Sequence, residues 1–120
     1  MSSLNTAKKS PRIEDGKFYW YEGNTFAIEL EINLSNENGE TITLSDTDTI
    51  IINCSRNDIS IHKFTFREFF ENKIVLNFDE ELTKKFRAGS YEYTITYIGT
   101  NITTIVAKNI MEVEKWQQIQ

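Results

Sequence analysis

A chain of 120 residues fits one domain and is long enough to bury a core without a metal or disulfide staple. Its composition, 39% hydrophobic with 26% charged residues, excludes the low-hydrophobicity class of disordered chains. The net charge of −5 is uneven: residues 1–17 hold four basic against two acidic side chains, the remainder nine against sixteen. So acidic a body argues against nucleic-acid binding, where phosphate neutralisation supplies most of the affinity.

Residues 1–16 are polar and weakly basic, with Lys8, Lys9 and Arg12, and end in Asp15-Gly16. They read as an N-terminal arm able to lie on an acidic protein surface. Residues 17–21 (KFYWY) form an aromatic-rich strand, followed by a turn at 22–24. Then Phe26, Ile28, Leu30, Ile32 and Leu34 alternate with Ala27, Glu29, Glu31 and Asn33, a period of two that specifies a strand with one buried face. Residues 35–40 turn at Asn38-Gly39, 41–44 form a short edge strand, and 45–48 turn again. The next segment is apolar on both faces at Ile50, Ile51 and Ile52, as a central strand is. Ile59 and Ile61 share one parity, Phe64 and Phe66 the other, which places a bulge or bend at His62-Lys63.

Residues 73–78 point Ile74, Leu76 and Phe78 inward. Residues 79–86 (DEELTKKF) are the one helical candidate: Asp79 caps it, acidic residues open it, lysines close it, and Gly89 stops the chain beyond. Tyr91, Tyr93, Ile95 and Tyr97 then alternate with Glu92, Thr94 and Thr96, and after the turn at 99–101 residues 102–113 return as a hairpin. The expected fold is an all-β, immunoglobulin-like β-sandwich of about seven to eight strands with one short helical turn. It spans residues 17–116, and 117–120 form a tail.

Few residues suggest chemistry. His62 is the only histidine and has no partner at metal-ligand spacing, so it reads as structural. Cys54, the only cysteine, ends an apolar strand and reads as a small buried hydrophobe. The acidic clusters at 45–48 and 79–81 lack the spacing of a calcium loop and are explained by turn and cap chemistry. No stretch has the length of a membrane span, and residues 1–11 lack the apolar core of a secretory signal. Three Asn-X-Ser/Thr matches carry little meaning without such a signal. The run Phe18, Tyr19, Trp20, Tyr21 is the strongest binding candidate, because a strand turns two of four side chains away from the core. Those rings, together with Trp116, would meet a partner or stack on a sugar.

Gly89-Ser90-Tyr91 resembles the tyrosine corner of immunoglobulin-like folds, where the ring bonds back to upstream backbone. Tyr21-Glu22-Gly23-Asn24-Thr25 before the alternating strand, Asn38-Gly39-Glu40 before the apolar one, and Gly89-Ser90-Tyr91-Glu92-Tyr93 opening the late hairpin carry a wider likeness. In this order they resemble the immunoglobulin-like domains of tailed-phage structural proteins, the N-terminal domain of the phage baseplate upper protein family in particular. The resemblance covers roughly residues 17–114. It implies a non-enzymatic virion component of accessory, decoration, connector or baseplate type, made in the host cytoplasm. Such a module needs no cofactor and contacts other virion proteins or copies of itself as a homo-oligomer, not nucleic acid or membrane. A carbohydrate-binding module aiding adsorption and a cytoplasmic adaptor domain are the alternatives.

Overall fold

In the computed structural model, which describes residues 11–115, the chain first reverses at Asp15-Gly16. Both residues take positive φ, 51° and 80°, as a two-residue hairpin turn with the right-handed twist of its strands requires. The turn folds β1 (Arg12–Glu14) antiparallel onto β2 (Lys17–Tyr21), with Arg12 opposite Tyr19 and Glu14 opposite Lys17. This corrects the boundary expected from sequence: Arg12–Glu14 belong to a sheet, so the fold reaches back beyond Lys17. Lys8 and Lys9 of the arm, Trp116 and the 117–120 tail lie outside the described residues.

The remaining elements follow as β3 (Phe26–Glu31), β4 (Thr49–Arg56), β5 (Ile59–Phe66), β6 (Lys73–Phe78), α1 (Glu80–Thr83), β7 (Gly89–Gly99) and β8 (Ile102–Glu114). One sheet has the order β1-β2-β8-β7-β4-β5, with β2 parallel to β8 and every other pair antiparallel; β3 and β6 form the second sheet. The molecule is an all-β sandwich with one short helix. β4, β7 and β8 adjoin as the C, F and G strands of immunoglobulin-like sandwiches do, and β3 pairs with β6 as B does with E.

The two sheets meet over Phe78, which is 1% exposed. Its ring lies 4.7 Å from that of Phe26, 5.1 Å from Trp20, 5.3 Å from Phe64 and 5.9 Å from Phe18. Ile50, Ile52 and Cys54 of β4 and Met111 and Val113 of β8 complete this core. Each large aliphatic side chain so buried contributes roughly 1.5–3 kcal/mol.

Three local expectations change. The edge strand at 41–44 is absent apart from a single bridge between Ser35 and Thr41. The Ile42 amide donates to the Leu34 carbonyl, and one side chain holds the rest: Asn72 Nδ2 donates to the Ile42 carbonyl and Asn72 Oδ1 accepts from the Leu44 amide, each bond at 2.8 Å. The helix contracts to a single turn. Asp79 accepts from the Leu82 amide at 2.9 Å, but Lys85 and Phe86 donate only three residues back, a tighter winding that delivers Phe86 into the core. The irregularity of β5 falls at Ile61, not at His62-Lys63: His62 pairs with Cys54 and Ser60 with Ser55, leaving Ile61 as the extra residue.

Candidate interaction surface

Residues 18–21 of β2 cover only the last part of β8, residues 111–114. Over 102–108, β8 pairs with β7 alone, and its other side meets no strand among the described residues. That side presents a row of backbone N–H and C=O groups, the template on which a further strand adds. A bulge sits within it: Ile95 pairs with Ala107 and Thr96 with Ile105, so Val106 is the extra residue.

Four side chains of this edge are aliphatic and uncovered. Ile105 is 64% exposed, Ile102 51%, and Ile110 and Val106 less so, at 38% and 36%. Ile105, opposite Thr96, and Ile110, opposite Glu92, stand on the outer face. Ile102 and Val106 line a recess with Tyr97, Leu34 and Ile42. Residues 102–110 hold one charge, Lys108, 3.7 Å from Glu92.

The walls of the recess are fixed. Asn36 Oδ1 accepts from the amides of Asn38 and Glu40, and the Asn36 amide donates to the Glu40 carbonyl, closing the 36–40 loop on itself. On the floor, Tyr97 Oη donates to Asp48 Oδ1 at 2.9 Å, while Asp48 Oδ2 accepts from the Ser45 amide and hydroxyl. Burial, with the Asp48 bond, holds the Tyr97 phenol above its ordinary pKa. The 45–48 cluster is thus committed to a turn and the 79–81 cluster to a helix cap. Among the described residues no group of three His, Cys, Asp or Glu side chains is placed to hold a metal ion.

The aromatic run expected to face a partner is core instead. Phe18 and Tyr21 are buried and Trp20 is fully so. Tyr19 is half-buried beneath the Arg12 guanidinium, 4.3 Å from the ring centroid. Arg12 in turn binds Glu14 at 2.7 Å and Glu114 at 2.9 Å, so it locks β1 and β8 together and is no free cation for a partner. The hairpin is held further by a hydrogen bond from the Tyr93 hydroxyl to the Gly16 carbonyl. A Cβ on Gly16 would come within 2.5 Å of the Asn109 amide.

Tyr91 donates from its hydroxyl to the Arg87 carbonyl, 2.8 Å away and four residues upstream, the bond of a tyrosine corner. Gly89 at φ 147° allows the chain to enter β7 there. Cys54 is buried, and desolvation pushes its thiol up to about 12, far from a thiolate at neutral pH. His62, half-buried on Phe64 at 4.7 Å, is held below its ordinary pKa by burial first and by Lys85 second, with Asp79 opposing. The edge of β8 had one signal in the sequence, a nine-residue β-branched stretch with a single charge. Nothing in the sequence marked Asn72. Comparison with protein families, with curated proteins and with solved structures finds no match for this chain.

Proposed function

We propose that this chain is a non-enzymatic structural module of a tailed-phage virion, of accessory, decoration, connector or baseplate type. It acts by docking other virion proteins or copies of itself. The observation that carries the reading is the open, aliphatic edge of β8 beside a rigid recess. Exposed apolar patches rimmed by polar groups mark protein contacts, and an unpaired strand edge supplies directional hydrogen bonds. The resemblance of the turn and strand order to phage structural domains supplies the class of partner. The sugar-binding alternative required outward rings at 18–21, and three of those four are buried.

The test is incorporation. Purified particles should contain the chain at stoichiometric level, and the variant Ile105→Lys/Val106→Lys should fall at least tenfold while remaining folded, because lysines on an exposed edge block strand addition. Equal incorporation of the variant would remove β8 as the docking edge. A chain absent from particles but bound to a host protein would favour the adaptor reading.

A further inference from the structure

A second opening lies between the two sheets, on the side where β3 ends its sheet. Core-facing residues of the two strands in that sheet are covered unequally. Ile74, Leu76 and Phe78 of β6 are at most 4% exposed, whereas their ladder partners Leu30, Ile28 and Phe26 of β3 are only half-buried. Beneath β3 lies an apolar cavity of about 120 Å³, lined by Ile28, Leu30, Ile32, Ile52, Met111 and, on the far rim, Ile13 of β1. Ile13 itself is 46% exposed. The cause is the path of the N-terminal strand: β1 turns at Asp15-Gly16 onto β2 and stays in the larger sheet, so nothing described continues the smaller sheet beyond β3.

The free edge has defined chemistry. The Ile32 amide donates to the Asn72 carbonyl at 2.8 Å, in register with the β3–β6 ladder. By the alternation of antiparallel bonding, the even-numbered residues of β3 bond to β6. Ala27, Glu29 and Glu31 therefore turn their N–H and C=O groups outward. Among the described residues neither Glu29 nor Glu31 is in an ion pair, and Lys73, across from Glu31, is drawn to Glu71 at 3.8 Å.

We propose that the β3 edge is an acceptor for one extended segment of a partner protein, with small aliphatic side chains at alternate positions and lysine or arginine between them. Added beside β3, such a strand completes the smaller sheet. It bonds to Ala27, Glu29 and Glu31, inserts an aliphatic side chain into the cavity, and sets its cations against the carboxylates. A cavity of this character favours an apolar guest over water. The same carboxylates repel a second β3 edge, so the surface selects a basic strand and not its own copy. This surface is separate from the edge of β8 and does not depend on it.

The test uses the full chain and a synthetic peptide of nine residues alternating valine with lysine. Titration followed by amide and methyl NMR should give saturable shifts at Ile13, Ile28, Leu30 and Ile32. Affinity should fall at least fivefold in Glu29→Lys/Glu31→Lys, whose side chains are exposed and whose folding can be checked by the same spectra, and should weaken with salt. A peptide with the same valines alternating with glutamate should not bind. Binding that ignores the charge reversal, shifts confined to β8 or β5, or no shift at millimolar peptide would each overturn the proposal.

Discussion

Tyr91 and Asn72 bond to backbone in different ways, and the difference sets what their loss should cost. Tyr91 donates one bond to a carbonyl beside exposed Arg87, so Tyr91→Phe should lower stability by about 1 kcal/mol. Asn72 both donates and accepts at a segment with no strand partner and sits at φ 60°, so Asn72→Ala should cost more, about 2–3 kcal/mol. Urea denaturation of both variants checks the order; a cost for Asn72→Ala at or below that of Tyr91→Phe would contradict it. Alkaline pH offers a second check. Burial raises the phenols of Tyr93 and Tyr97 above the ordinary 10.0, so the folded state keeps protons that the unfolded chain releases. Their contribution is complete below pH 10.0 and is lost as pH rises through the folded values. Stability should therefore fall on crossing pH 10.0, and less so in Tyr93→Phe/Tyr97→Phe; a flat or rising profile would refute this.

At the scale of elements, alternation was legible where one face meets the core and the other meets water. The stretch from Phe26, the β6 triplet Ile74, Leu76, Phe78, and the Tyr91-to-Tyr97 series all occupy the faces their parity predicts. In KFYWY parity holds from Lys17 to Trp20, but the outward side is covered as well: Arg12 roofs Tyr19, and Tyr21 is buried. Asp15-Gly16 between two short alternating runs is itself a hairpin signal, masked by the polar residues before it. Residues 41–44 differ for another reason: the Ile42 carbonyl and the Leu44 amide bond to the side chain of Asn72, which strand propensity cannot foresee. The β8 edge was half legible. Its β-branched stretch was visible, but only the short overlap with β2 shows that residues 102–108 stay uncovered.

For the whole molecule, a sandwich with unpaired strand edges that include β8 and β3 fits a module that gains partners by adding strands. The edges differ in chemistry: β8 exposes aliphatic side chains and one cation paired with Glu92, whereas β3 carries two carboxylates in no ion pair among the described residues. Docking at β8 is open to direct measurement. Amide hydrogen exchange, compared between the free chain and the assembled particle, tests it most directly. Outward amides within 102–108 should exchange fast in the free chain, as unpaired edge groups do, and become protected on assembly. Unchanged exchange over 102–108, with new protection elsewhere on the molecule, would contradict it.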